Sequence, residues 1–260
     1  MKTRYIIVWI FSIFLFTSCT DTSITPPVQE SISSTGEIIE TSSGSIGSTE
    51  VTEEIPEYLK QELDGNSLEF IKVLDDNASY IRYQISYISD SLKISGIMNI
   101  PKWAGPFPLL ILNHGHIDTS VYTLGRGLKR EQDYLAKSGF AVLHTDYRNH
   151  AFSDKDELLI GERSLERTKR YGTDSMNAIV AVQEAVKNGV KEVSTINADK
   201  VGMLGHSMGG GVTMYSLVSH PELIDAAVLY APVHMNEFYN FERWMGKRLS
   251  IEDTKKLESE

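Results

Sequence analysis

The clearest chemical signal in the sequence is the five-residue stretch Gly205-His206-Ser207-Met208-Gly209, which follows the apolar run Val201 to Leu204. A serine on a sharp turn from strand to helix takes strained backbone angles, and glycines two residues before and after it remove collisions with neighbouring elements. Such a turn exposes the Ser207 hydroxyl above a sheet and aims the Met208 N–H at a developing oxyanion. The spacing predicts a nucleophilic serine with Gly205 and Gly209 as elbow glycines. The alternative is a structural turn with a helix-capping serine.

A second cluster, Asn113-His114-Gly115-His116, stands at the end of the apolar run Leu109 to Leu112. A backbone N–H just past a strand end, beside a glycine that allows close approach, is the usual second oxyanion donor. We therefore predict the N–H of His116 as this donor, with that of Ile117 as the alternative. His114 and His116 could instead bind a metal, but two ligands are too few and no further His, Asp or Glu cluster completes the set. The sequence predicts no metal site.

Both clusters need a sheet whose strands end at one edge. Alternation predicts two paired strands, short apolar runs predict four buried strands, and helical spacing predicts three helices. The predicted strands are Tyr80–Ser89, Leu92–Ile100, Leu109–Leu112, Phe140–Leu143, Val201–Leu204 and Ala226–Tyr230, and the predicted helices are Lys129–Lys137, Thr173–Lys187 and Met208–Ser219. Strands that alternate with helices indicate an α/β fold, with a mostly parallel sheet covered by helices on both faces.

Several short blocks follow one another in a familiar order within residues 78–235. They are Asn113-His114-Gly115-His116, Asp146-Tyr147-Arg148, Asp199-Lys200-Val201-Gly202, Gly205-His206-Ser207-Met208-Gly209-Gly210 and Ala231-Pro232. In this order they resemble the α/β-hydrolase superfamily and, within it, are most similar to the catalytic domain of the prolyl oligopeptidase family. The resemblance implies a serine hydrolase without cofactor, in which Ser207 is the nucleophile and Met208 and His116 supply the oxyanion donors. It also implies that Asp146 and Arg148 orient loops, and we expect His206 to pack.

One departure from that family concerns the size of the substrate. Its oligopeptidases carry a large propeller domain before the hydrolase, which screens substrates by size. Here only about 20 residues separate a low-complexity segment from the first predicted strand, a length far below that of a domain. We therefore expect small esters or short, accessible peptides as substrates.

A second departure concerns the catalytic triad. A hydrolase of this fold needs an acid and a histidine after the nucleophile, and the family places them after the last two strands. The sequence given ends at Glu260, and only His220 and His234 follow Ser207 as histidines. We expect His220 at the far end of the helix and His234 in a loop or cap. The expectation is therefore a sheet lacking its last two strands, a chain without the triad acid and histidine, and an inactive fragment.

Three functions stay open on the sequence. The first is a serine hydrolase of the prolyl oligopeptidase type that cleaves peptide or ester bonds through a Ser207 acyl-enzyme. The second is a carboxylesterase or an esterase like dienelactone hydrolase. The third is a non-catalytic surface lipoprotein that binds a ligand in a hydrolase-like cleft. Retention of Ser207 between two elbow glycines favours an enzyme, because a binding cleft has no need of a strained turn.

The N-terminal residues have the layout of a bacterial export signal. Residues 1–19 pass from basic Lys2 and Arg4 through an apolar core too short to span a bilayer, and end in Phe-Thr-Ser-Cys. This resembles a lipoprotein lipobox, with Phe16 where the family usually has Leu, and implies that Cys19 carries lipid. The alternative is a plain signal or an uncleaved anchor. We expect a protein of the cell envelope that is held at the membrane through its N-terminal lipid.

Residues 20–57 are rich in Ser, Thr, Glu and Gly and predict a disordered tether, which leaves residues 58–260 for the hydrolase domain. The whole chain has 35 acidic and 25 basic residues and a net charge of −10, an excess that argues against binding nucleic acid. The tether contains eight of the acidic residues, so the domain is only mildly acidic.

Because Cys19 is the single cysteine, intramolecular disulfides and cysteine-ligated metals are excluded. The sequence does not predict the oligomeric state.

Overall fold

A seven-stranded mixed sheet forms the centre of this protein in the computed structural model, which describes residues 62–159 and 164–234. The predicted signal with Cys19, the tether and the chain after His234 lie outside these residues. The strands are β1 (Asn66–Asp76), β2 (Tyr80–Ser89), β3 (Leu92–Pro101), β4 (Phe107–Asn113), β5 (Ala141–Thr145), β6 (Ile196–His206) and β7 (Ala226–Tyr230). The α-helices are α1 (Lys129–Lys137), α2 (Ser164–Lys187) and α3 (Met208–Ser219).

The strand order across the sheet is β1-β2-β3-β5-β4-β6-β7. β4 pairs in parallel with β5 and with β6, and β6 pairs in parallel with β7. The pairs β1/β2, β2/β3 and β3/β5 are antiparallel. It follows that β2, β4, β5, β6 and β7 run in one direction and that β1 and β3 oppose them. The predicted α/β fold with a mostly parallel sheet is confirmed.

The antiparallel hairpin of β2 and β3 has a local cause. Asp90 and Ser91 both have positive φ, at 50° and 63°, which is the geometry of a two-residue type I′ turn. This turn sets Ser89 opposite Leu92 and continues in register to Tyr80 opposite Pro101. The alternation of residue types had predicted this hairpin, and the structure confirms it.

β1 was not predicted from the sequence. Buried and exposed side chains alternate only at the start of the strand. Leu68 and Phe70 pack against the core, whereas Ile71 and Val73 are about half exposed. The register against β2 shifts three times, so no regular period runs through the strand. A pattern search that expects strict alternation therefore passes over it.

α2 begins at Ser164, nine residues before the predicted start at Thr173. Gly172 lies inside the helix, and a Cβ at that position would come within 2.3 Å of the Tyr215 ring on α3. The glycine thus allows the two helices to approach closely and does not end α2. The predicted bounds of α1 and α3 agree with the structure.

Helices cover both faces of the sheet. On one face the larger apolar core packs against α2 and includes Ile85, Leu109 and Ile179. On the other face a smaller cluster around Leu112 and Val142 packs beneath α1. Within the described ranges, no helix combines the length and the apolar character needed to cross a membrane.

Candidate active site

Ser207 forms the turn between β6 and α3 and has φ 55° and ψ −118°, an unusual conformation for a residue other than glycine. Its N–H donates to the Tyr230 carbonyl at 3.1 Å, and its carbonyl accepts from Gly210 at 2.9 Å and from Val233 at 3.0 Å. The end of β7 and the segment after it therefore hold the turn from both sides. The Ser207 side chain makes no capping hydrogen bond to α3. This removes the basis for interpreting it as a helix-capping serine.

The two glycines that flank Ser207 stand where no side chain fits. A Cβ at Gly205 would lie 2.1 Å from the Gly209 carbonyl oxygen, and a Cβ at Gly209 would lie 2.0 Å from the Asn113 carbonyl oxygen. Both obstacles are backbone atoms, which cannot rotate away as a side chain could. The turn depends on both glycines, for the steric reason that the motif suggested.

The strand-end cluster after β4 lies against this turn. A Cβ at Gly115 would come within 3.1 Å of the Ser207 Cβ and 3.3 Å of His206 Nδ1. Residues about 90 positions apart in sequence are thus brought into contact, as the prediction of two oxyanion donors requires. His116 follows Gly115 directly and its side chain is exposed, whereas Ile117 is half-buried.

Met208 begins α3, and helix geometry leaves the first amides without an acceptor inside the helix. Together with the helix dipole, these N–H groups favour negative charge beside Ser207. The Met208 side chain packs against a buried cluster that contains Tyr147, Tyr171 and Val212. This packing holds the first turn of α3 in place.

Asn113 connects three elements beneath the turn and was missed by sequence reasoning. It is fully buried, its Nδ2 donates to Thr213 Oγ1 on α3 at 2.9 Å, and its Oδ1 accepts from Ser175 Oγ on α2 at 2.8 Å. A polar residue at the end of a buried apolar strand was the available signal, since buried amides need partners. Asn113 ties β4 to both helices of that face.

A group of buried aromatic and histidine side chains lies behind the strand ends. His114 is fully buried, with its ring centroid 4.4 Å from that of Tyr147 and 5.3 Å from that of His144. Its Nδ1 lies 2.7 Å from the Gly115 carbonyl oxygen and its Nε2 lies 3.4 Å from that of Asp146. Burial lowers the pKa of His114 to about 4, so the ring is neutral at pH 7.

His114 and His116 do not share a face as a metal site would require, because one ring is buried and the other exposed. Within residues 62–159 and 164–234, no three His, Cys, Asp or Glu side chains are grouped so that they could hold a metal ion.

Asp146 organises the loop between β4 and α1. It is buried and accepts hydrogen bonds from Ser95 Oγ at 2.7 Å, from the Tyr122 hydroxyl at 2.8 Å and from the Gly125 N–H at 2.8 Å. Burial raises the pKa of this carboxyl, while the three donors act in the opposite direction. Ser95, Tyr122 and Gly125 all belong to the protein scaffold, which fits a role of Asp146 in holding loops.

Arg148 ties the loop after β5 to α2 and to the β2–β3 turn. Its guanidinium binds Asp174 at 2.7 Å, and Asp90 and Asp156 at 2.9 Å each. Burial alone would lower the pKa of Arg148, but the attraction of Asp174 and the three hydrogen-bonded carboxylates raise it. The arginine is therefore charged and structural in its contacts.

The histidines in and after the elbow occupy different places. The His206 ring lies against Tyr230 at a centroid distance of 4.9 Å. His220 caps the far end of α3, where its Nδ1 lies 2.8 Å from Glu222 Oε1. His234 directly follows Val233, whose N–H binds the Ser207 carbonyl, so it lies in the segment beside the turn.

A mostly parallel sheet with helices on both faces and a strained serine between strand and helix define the class of α/β-hydrolases. Residues 108–251 match the family model described as "alpha/beta hydrolase fold", which is more than half of the chain. The chain therefore belongs to the alpha/beta hydrolase fold family.

Two curated relatives match over 144 residues. A carboxymethylenebutenolidase-like protein of Aquifex aeolicus strain VF5 is 25% identical, and "Protein usf" of Aquifex pyrophilus is 24% identical. In both, the matched region is 55% of this chain and 58% of the relative. The chain thus spans little more than half the length of these relatives.

Among solved structures, the chain is similar to an esterase and to a peptidase. Acetyl xylan esterase 1 from Thermoanaerobacterium sp. JW/SL YS485 is 19% identical, with a TM-score of 0.48 over 75% of this chain and 68% of the esterase. The Pyrococcus horikoshii acylaminoacyl peptidase is 17% identical, with a TM-score of 0.49 over 65% of this chain and 26% of the peptidase.

Proposed function

We propose that the protein is a serine hydrolase in which Ser207 forms an acyl-enzyme with small carboxylic esters. The observation that carries this proposal is the backbone of Ser207, which is strained at φ 55° and ψ −118° although its side chain caps no helix. Strain of this kind costs about 1–3 kcal/mol and persists where the surroundings impose it, which is common at active sites. A strained serine whose hydroxyl does not cap the helix suits a nucleophile.

The proposed reaction has two steps. The Ser207 hydroxyl oxygen attacks the ester carbonyl as its proton passes to a general base, and the carbonyl oxygen becomes an oxyanion. The N–H groups of Met208 and His116 stabilise this oxyanion. The alcohol leaves with the proton from the base, and water then attacks the acyl-enzyme and releases the acid.

The mechanism also needs a general base and an acid that orients this base. None of the described residues is assigned to either role. His220 is engaged with Glu222 at the opposite end of α3 and is unsuited to the task. His234 is the described histidine in the segment next to Ser207, so its replacement by alanine tests whether the base comes from there.

An ester substrate is favoured over a peptide by the name of one curated relative. That relative is called a carboxymethylenebutenolidase, and a butenolide is a cyclic ester. Short peptides are the second candidate class, since the sequence resembles the prolyl oligopeptidase family.

We further propose an N-terminal lipid on Cys19 that holds the enzyme at the cell envelope, facing the periplasm or the exterior.

The proposal predicts that a fluorophosphonate probe labels Ser207 of the 260-residue chain. Labelling is measured with and without added imidazole, which can replace a missing histidine as base. Ser207→Ala abolishes labelling and, under whichever of the two conditions supports labelling of the wild type, lowers hydrolysis of p-nitrophenyl acetate by a factor of about 1,000 or more. The control Ser219→Ala removes a serine at the far end of α3, whose hydroxyl donates to the Tyr215 carbonyl, and leaves both unchanged.

The two imidazole conditions separate two questions. Labelling that needs imidazole indicates that the base is absent from the chain, and labelling without it indicates that the chain contains the base. In both cases the labelled residue is Ser207. An absence of Ser207-dependent labelling under both conditions would overturn the proposal. Comparison of an aryl ester, a small lactone and a short peptide then decides the substrate class.

A further inference from the structure

The peptide unit between Gly115 and His116 carries the second oxyanion donor of the proposed function, and its orientation is set from inside the protein. The Gly115 carbonyl oxygen lies 2.7 Å from Nδ1 of the buried His114 ring. At this distance a neutral histidine donates its Nδ1–H to the carbonyl. The ring and the carbonyl it binds belong to neighbouring residues, so rotation of this one peptide would break the bond.

In a trans peptide the C=O and the N–H point in opposite directions. The bond to His114 holds the Gly115 carbonyl toward the buried cluster, and the N–H of His116 consequently points away from it. His116 itself is exposed, so this side of the peptide lies away from the core. Standard bond lengths place this nitrogen within about 7 Å of the Ser207 Cβ, since Gly115 lies against Ser207.

The His114 ring cannot easily turn away from this bond. Tyr122 and Tyr147 pack on it with centroid distances of 5.0 Å and 4.4 Å, and His150 meets it edge-on at 5.5 Å. The Tyr147 hydroxyl also contacts the His114 carbonyl oxygen at 3.4 Å, which restrains the preceding peptide. A ring fixed on several sides makes the hydrogen bond to Gly115 a rigid constraint.

We infer that His114 is a positioning residue, which directs the N–H of His116 into the oxyanion hole by holding the Gly115 carbonyl with its Nδ1–H. This inference rests on the proposed function of Ser207. His114 itself touches neither the substrate nor Ser207 in this role. It acts only through the peptide that follows Gly115.

The test compares two substitutions of nearly equal shape. His114→Asn keeps an N–H donor near the position of Nδ1, whereas His114→Leu removes it. We expect His114→Leu to lower kcat for p-nitrophenyl acetate by about 10- to 100-fold and to leave KM within about twofold. The reason is that the His116 N–H stabilises the oxyanion that develops in the transition state, so its misdirection raises the barrier without weakening substrate binding. His114→Asn retains kcat within about threefold of the wild type. Rates of fluorophosphonate labelling follow the same order.

His144→Leu is the matched control. It removes a buried imidazole from the same stack, but neither ring nitrogen of His144 has a hydrogen-bond partner among the described residues. We expect kcat to change by less than about twofold. Thermal melts of all three variants show whether each one is folded. Equal losses in His114→Asn and His114→Leu, or a loss of the same size in His144→Leu, would overturn the inference.

A second measurement keeps this inference separate from the proposed function. In a nitrogen-15 NMR spectrum of the wild type at pH 7, we expect His114 as the neutral Nδ1–H tautomer with a downfield, exchange-protected ring proton. An Nε2–H tautomer would overturn the role of His114 whether or not Ser207 reacts. Conversely, the expected tautomer without any Ser207-dependent labelling would overturn the proposed function and leave the peptide orientation standing.

Discussion

Ser207 and its two glycines show how a single turn depends on atoms far away in sequence. The carbonyl oxygen of Asn113, the last residue of β4, lies 2.0 Å from where a Gly209 side chain would begin. The Gly209 carbonyl oxygen lies 2.1 Å from where a Gly205 side chain would begin. The turn is therefore enclosed by backbone on both sides. Strain at Ser207 persists because relaxing it would push these segments apart.

We predict that Gly209→Ala destabilises the protein by several kcal/mol. Inside an ordinary helix the same change would stabilise by about 1 kcal/mol, so the sign of the effect reports the close contact with Asn113. Urea unfolding measures it. Gly189→Ala is the comparison, because Gly189 has φ 71° with nothing within 4 Å of its Cβ position, and it should cost only about 1–2 kcal/mol of backbone strain. A stabilised Gly209→Ala variant would contradict the geometry of the turn.

At the scale of elements, α2 is joined to the rest of the domain by polar contacts as well as by its apolar face. Asp174 accepts from the backbone N–H and the guanidinium of Arg148 and from Ser89 Oγ. These bonds connect α2 to the loop after β5 and to the end of β2. Because that loop also carries Asp146 and Tyr147, the network fixes the elements that support His114.

Asp174→Asn should destabilise the protein by about 3 kcal/mol, since it keeps the shape but leaves the buried Arg148 with less compensating charge. The pair of Lys102 with Asp76 is the control, with side chains 38% and 57% exposed. Asp76→Asn should cost less than about 1 kcal/mol because solvent screens that pair. Both values are read from urea unfolding at pH 7. Equal costs would show that the buried network adds no stability beyond that of a surface pair.

At the scale of the whole molecule, three buried histidines make the folded state sensitive to acid. Burial lowers the pKa of His114 to about 4, lowers that of His144 well below its ordinary value, and lowers that of His150. In the unfolded chain these groups take up protons near pH 6.5. Between pH 6.5 and about 4 the unfolded state thus binds more protons, and the free energy of unfolding falls as the pH falls.

His144→Leu isolates one part of this dependence. Without the imidazole, the loss of stability between pH 7 and pH 5 should be smaller by about 2 kcal/mol, because one proton fewer is taken up on unfolding. The measurement is the free energy of unfolding of both proteins at the two pH values. Parallel curves for wild type and variant would show that His144 titrates in the folded protein as it does in the unfolded chain.

Much of the fold follows from local signals in the sequence. Asp90 and Ser91 favour a tight turn and so specify the hairpin of β2 and β3, and helical spacing sets the bounds of α1 and α3. The glycine spacing likewise marks the turn around Ser207, because the nearby Gly209 carbonyl leaves no room for a side chain at position 205. Such features are predictable because the residues that cause them are close together in the chain.

Other features arise only when distant segments meet. β1 has no regular period because its register shifts against β2. Gly172 is unfavourable inside a helix by itself, and the close contact of Tyr215 explains why a glycine stands there. The contact of Gly115 with Ser207 joins the ends of β4 and β6, and the neutral state of His114 comes from complete burial. The sequence by itself determined the hairpin and two helices and marked the position of the serine turn, since these signals lie in neighbouring residues. The tertiary structure decided which amide and which ring stand beside that serine, because packing between distant strands sets burial and orientation.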